Sequence, residues 1–79
     1  MKHNLVSRIA NFSLWSFSEY QRIKDLSYEQ QCLSPLNDIY PGIIDKYNMG
    51  LSFLEIISKD KAEDTLERLY KFESIINSI

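Results

Sequence analysis

The sequence predicts an all-α fold, a compact bundle of about four helices joined by short turns. Three observations lead there. Gly and Pro number two each, too few for the many tight turns of an all-β domain. Apolar residues recur at spacings of three and four along most of the chain, the period of a helix with one buried face. Ser, Asn or Asp precedes several of these runs, often with Glu or Gln three residues later, the spacing of a capping box. At 44% apolar and 13% aromatic residues, the composition supplies a core and is not that of a disordered chain. Seventy-nine residues make one domain, whose folding buries only roughly 60–65% of the surface of the unfolded chain.

The first helix is read over Asn4–Asn11, with Asn4 as its N-cap and Leu5, Val6, Ile9 and Phe12 at helical spacing. The run Phe12–Phe17 is aromatic enough for a strand. The pair Ser16 and Glu19 instead has capping-box spacing, with Trp15 and Tyr20 where a hydrophobic staple would sit. A turn near Ser13 and a second helix from Ser16 to Leu26 are therefore expected. Ser27 and Gln30 repeat the capping spacing. No Gly or Pro intervenes, so a kinked continuation to Leu33 is expected over a restart at Ser27.

Ser34–Pro35 marks a helix start, because proline at the first helical position lacks only an N–H that would be unpaired anyway. Tyr40–Pro41–Gly42 interrupts it, leaving about one turn over Pro35–Ile39. A third main helix is expected from Pro41, carrying Ile43, Ile44 and Tyr47 inward. Asn48–Met49–Gly50 stops it, with Gly50 or Asn48 as a left-handed cap. Ser52 and Glu55 form a capping box and Leu51 and Ile56 a staple for a short helix to about Ser58. Asp60 then caps a last helix with Glu63 at its third position. Its buried stripe reads Ala62, Leu66, Leu69, Phe72, Ile76 and Ile79, widened by Tyr70 and Ile75. Ser58–Asp60 reads equally as a break or as a bend in one long helix. No repeat, low-complexity run or linker divides the chain.

Composition narrows the function. Nine Lys and Arg against eleven Asp and Glu, net −2 with a pI near 5.2, leave no basic excess to neutralise phosphates, so nucleic-acid binding is disfavoured. The lone Cys32 has no disulfide partner, which suits a reducing cytoplasm. Met1–Asn4 is not followed by the apolar run of a signal peptide, and no stretch is long enough to span a membrane. His3 is the only histidine and reads as a terminal side chain. Zinc needs three or four N or S ligands, and His3 and Cys32 are the only two candidates. No nucleophile–base pair can be assembled at any recognisable spacing. The chain reads as a binding protein without catalytic residues, metal or cofactor.

The candidate partner-binding residues are Asp60, Glu63, Asp64 and Glu67, which share a helical face at spacings of three and four, with Tyr70 or Tyr47 beside them. Acids in a first helical turn also complement the helix dipole and can pair with Lys59, Lys61, Arg68 and Lys71. Ten aromatic residues are many for so small a core, and tyrosine and tryptophan are enriched at interfaces.

Leu14–Trp15–Ser16–Phe17–Ser18–Glu19–Tyr20, where a short helix gives way to an aromatic-rich capped one, resembles the small helical immunity proteins that protect bacteria from tRNA-cleaving colicins and contact-dependent toxins. The acidic C-terminal helix is similar in character. The resemblance implies a protein partner, a basic toxin such as a nuclease, whose active site is occluded. An alternative is a homodimeric regulator or adaptor, DNA-associated through a helix-turn-helix fragment at Ser34–Pro35. Its recognition segment Leu36–Asn48 offers only Asn37, Lys46 and Asn48, alongside Asp38 and Asp45.

Overall fold

Long-range apolar contacts override one local signal at the outset. Phe12, Ser16, Tyr20 and Ile23 fall on one helical face, and that face is buried. The first helix therefore runs unbroken, and no turn forms at Ser13. The computed structural model describes residues 4–77, so His3 and Ile79 lie outside the described residues. Among the described residues six helices follow one another: α1 Leu5–Ile23, α2 Tyr28–Cys32, α3 Pro35–Ile39, α4 Ile43–Asn48, α5 Phe53–Ile57 and α6 Ala62–Asn77. Among the described residues there is no strand. The all-α class holds, with six helices in place of four.

Asn4 caps α1 as its position implies, its Oδ1 accepting from the Ser7 N–H at 2.8 Å. The Ser16–Glu19 capping box does not form. Ser16 sits in mid-helix, 1% exposed, and Glu19 turns to Arg22 and Ser34. α1 stops without a glycine. The Gln31 amide donates to the Ile23 carbonyl at 3.0 Å, and the Tyr47 hydroxyl donates to the Lys24 carbonyl at 3.0 Å. Carbonyls that a further turn of helix would have satisfied are thus satisfied by α2 and α4. The expected continuation to Leu33 is replaced by a restart, with the Ser27 Oγ accepting from the Gln30 N–H.

Ser34 caps α3 through the Leu36 N–H, and α3 is one turn long, with Leu36 and Ile39 fully buried. Pro41 does not begin α4. Ile43 donates to the Tyr40 carbonyl at 3.0 Å, and Gly42 adopts φ 85°, ψ 0°. That is a type II turn with proline and glycine at its two central positions. The α4 helix therefore starts two residues later. It ends in a Schellman motif: Leu51 donates to the Lys46 carbonyl, Gly50 to that of Tyr47, and Gly50 lies at φ 95°. The Ser52–Glu55 capping box is present in both directions. Ser58–Asp60 is a true break between α5 and α6.

The helices α1, α3 and α6 pack on one another, α4 sits on α3, and α2 and α5 flank α4. A continuous aromatic seam joins them. It runs Trp15–Phe72–Phe12–Tyr40–Phe53–Tyr20–Tyr47, with successive ring centroids 5.0–6.3 Å apart. Contacts of this kind add to the burial of the rings themselves. On α6, Leu69 and Phe72 carry the burial; Ala62, Tyr70 and Ile76 are exposed instead of lying in or widening the stripe. The Cα trace measures 39 × 28 × 16 Å. The smallest extent is about that of two helix layers packed together, so every helix keeps an outer face.

Candidate functional site

The outer face of α6 is set by the burial of its inner one. With Leu69 and Phe72 against the core, helical geometry turns Glu63, Glu67 and Tyr70 outward in one line at spacings of four and three. All three are exposed, Tyr70 to 55%. Neither glutamate joins an ion pair among the described residues. The Tyr70 ring lies 6.0 Å from the Arg8 guanidinium, which is itself gripped by Glu73 through Nε at 2.8 Å and Nη2 at 2.6 Å. This fork raises the Arg8 pKa and lowers that of Glu73. Tyr70 therefore projects from a braced base. Asp64, half-buried, lies at the edge of the line, where its charge acts on Arg68.

Two of the sequence-predicted residues belong elsewhere. Asp60 does not cap α6; its carboxylate accepts from Arg68 Nε at 2.8 Å and Nη2 at 3.3 Å. Tyr47 caps the end of α1 and stacks edge-on against Tyr20 at 5.2 Å, away from the face of α6. In both, a partner on another segment takes up the polar atoms. Asp64 is intermediate. Glu63, Glu67 and Tyr70 are the ones the fold brings together, with Lys71 beside them.

The arginines are committed. Arg8, Arg22 and Arg68 each make a two-point contact with one carboxylate, of Glu73, Glu19 and Asp60 respectively. Such forks are the geometry arginine uses on phosphates, and here carboxylates occupy all three. In the Arg22–Glu19 pair the bond to Arg22 holds the Glu19 carboxyl below its ordinary range, and the Ser34 hydroxyl, donating at 2.7 Å, adds to this.

A shallow apolar crevice lined by Tyr20, Ile23, Gln31, Ile44 and Tyr47 is too narrow to admit water. Among the described residues no group of His, Cys, Asp and Glu is placed to hold a metal ion, and none of the helices is long and apolar enough to cross a membrane. No family model, curated protein or solved structure matches the chain.

Sequence reading missed a second surface. Val6, Leu14 and Phe17 are exposed on α1, and Leu54 is exposed on α5. Phe17 meets Phe53 edge-on at 6.2 Å, which links the two. The signal was present in the spacing of Val6, Ala10, Leu14 and Phe17, but a turn placed at Ser13 splits it.

Proposed function

We propose that this chain is a small protein-binding module that neutralises a basic protein, in the manner of a toxin-immunity protein, by docking Glu63, Glu67 and Tyr70 on it. The observation that carries this reading is the line itself. Two glutamates without ion-pair partners and a half-exposed tyrosine stand on one rigid helix, while every arginine is occupied. Unpaired surface carboxylates steer a basic partner into encounter, and a tyrosine presented at the end of the line supplies an aromatic anchor. Asp64 lies at the rim of the contact. The partner class best suited to it is a basic nuclease whose cationic substrate groove the face covers.

The DNA-associated alternative is the weaker reading. The segment after Ser34–Pro35 is broken at the Pro41–Gly42 turn, and Leu36 and Ile39 point into the core, so no continuous helix is offered to a groove.

The test is a tRNA-protection assay with the nuclease that co-purifies with the native chain. The native chain protects tRNA at equimolar ratio. The variant carrying Glu63→Lys, Glu67→Lys and Tyr70→Ala, with unchanged circular dichroism, does not. Equal protection by both would remove this face from the reading.

A further inference from the structure

We propose that α2 is a strap: it lifts off α1 and α4 while the other helices stay folded, and its lifting uncovers the apolar crevice between Ile23, Ile44 and Tyr47. Among the described residues, each of the other five helices buries two or more apolar side chains. The one buried side chain of α2 is polar, that of Gln31 at 3% exposure. Cys32 is half-buried, and Tyr28 and the capping residue Leu33 are exposed, Leu33 to 83%. Apolar burial ties the opening of a segment to exposure of the core, and so to unfolding of the whole. A segment that contributes so little of it opens by itself. The inference does not rest on the proposed function.

The bonds that hold Gln31 down can be exchanged for water without stranding their partners. Its Nε2 donates to the Ile23 carbonyl at 3.0 Å and to the Lys24 carbonyl at 3.5 Å, and its Oε1 accepts from Asn48 Nδ2 at 3.4 Å. With Gln31 withdrawn, the Ile23 carbonyl keeps the Leu26 N–H at 3.0 Å, and the Lys24 carbonyl keeps the Tyr47 hydroxyl at 3.0 Å. Asn48 keeps the Ile44 carbonyl at 2.8 Å. Leaving a buried group unpaired is what makes a broken hydrogen bond costly, and none of these partners is left so. The remaining tie, from the Tyr28 hydroxyl to Asp45 Oδ1 at 2.9 Å, is exposed. Beyond α2 the chain stays fixed, because the Ser34 hydroxyl donates to Glu19 at 2.7 Å and accepts from the Leu36 N–H at 3.1 Å. A detached helix of five residues does not persist in water, so lifting and unwinding are one event. Gln31 lines the crevice together with Tyr20, Ile23, Ile43, Ile44 and Tyr47, and its withdrawal opens that side to solvent.

Native-state amide exchange in sub-denaturing urea tests this, with α3 and α5 as equally short helices for comparison. In the native chain the Gln31 and Leu33 amides are at least about tenfold less protected than those of Tyr40 and Ile56, and their exchange is nearly indifferent to urea. Exchange at Tyr40 and Ile56 rises steeply with urea, together with Leu69 of α6. Gln31→Ala speeds exchange at Leu33 by roughly tenfold and leaves Tyr40 and Ile56 unchanged. The crevice is read by alkylation with N-ethylmaleimide of the thiol introduced by Ile44→Cys, in a chain that also carries Cys32→Ser. That thiol reacts at a rate as indifferent to urea as exchange at Leu33. Equal protection and equal urea dependence at Gln31, Leu33, Tyr40 and Ile56 would overturn the proposal. So would a Gln31→Ala variant in which α3 and α5 loosen by the same factor as α2, or a buried thiol that reacts only through global unfolding.

Discussion

The Arg68 guanidinium holds the Asp60 carboxylate at 2.8 Å while donating through Nη1 to the Ile39 carbonyl at 2.7 Å. Its centre also lies 4.6 Å from the Tyr40 ring centroid. One side chain thus binds the start of α6 to the C-terminal end of α3, where a positive charge complements the helix dipole. Burial works against the Arg68 charge, but the Asp60 hydrogen bond and charge more than offset it, and its pKa is raised.

Asp60→Asn is therefore expected to destabilise the fold, by about 1–3 kcal/mol, the range for a hydrogen bond to a charged group that is largely shielded from water. Glu63→Gln and Glu67→Gln change stability by less than about 0.5 kcal/mol, as exposed substitutions do. Urea unfolding of the three variants checks the contrast.

Ser16 gives the opposite expectation. Its Oγ is buried and has no hydrogen-bond partner, an uncompensated desolvation. Ser16→Ala removes it with little loss of volume and stabilises the chain by about 1 kcal/mol. At this chain length that raises Tm by roughly 4–8 °C, which calorimetry reads directly.

Tyr47 acts through its hydroxyl. Tyr47→Phe keeps the ring against Tyr20 but leaves the Lys24 carbonyl without this donor. A loss of about 0.5–1.5 kcal/mol is expected. Amide exchange in the last turn of α1 should quicken with it.

Stability should decline at both ends of the pH range. Glu19 and Glu73 are lowered from 4.5 by their bonds to Arg22 and Arg8. A lowered pKa adds stability that is present above the unfolded value and is lost as pH falls through the folded one. Tyr40 is pushed up to about 12, first by burial and then by the Asp60 charge. A raised pKa adds stability that is present below the unfolded value near 10 and is lost as pH rises through about 12. A plateau between pH 5 and 9 is expected from these groups. Glu73→Gln flattens the acid limb, and Tyr40→Phe flattens the alkaline limb; urea midpoints across pH check both.

Local chemistry made much of this fold legible. Asn4, Ser34 and Ser52 cap helices as their spacing predicts, because a cap acts within three residues of its own position; Ser27 caps α2 as well, where the lack of Gly or Pro pointed to a continuous helix. Gly50 closes α4 for the same reason. Ser16 and Glu19 have equal spacing and failed, since Ser16 shares a face with Phe12 and Tyr20 and core burial outweighs one cap. Asp60 failed because its partner, Arg68, is eight residues away and the pair is fixed by packing on α3. Of the proposed face, Glu63 and Glu67 follow from helical periodicity alone; Tyr70, which the same periodicity also reads as widening the buried stripe, turns outward. Tyr47 lies on a different helix, and no spacing rule could show which side of the molecule it occupies.

The most direct test of the proposed neutralising face is the salt dependence of association between the native chain and a basic protein that co-purifies with it, followed by stopped flow. The account predicts an association rate that falls steeply with ionic strength, and that Glu63→Lys with Glu67→Lys lowers it at least tenfold at low salt. A rate indifferent both to salt and to these charge reversals would contradict it.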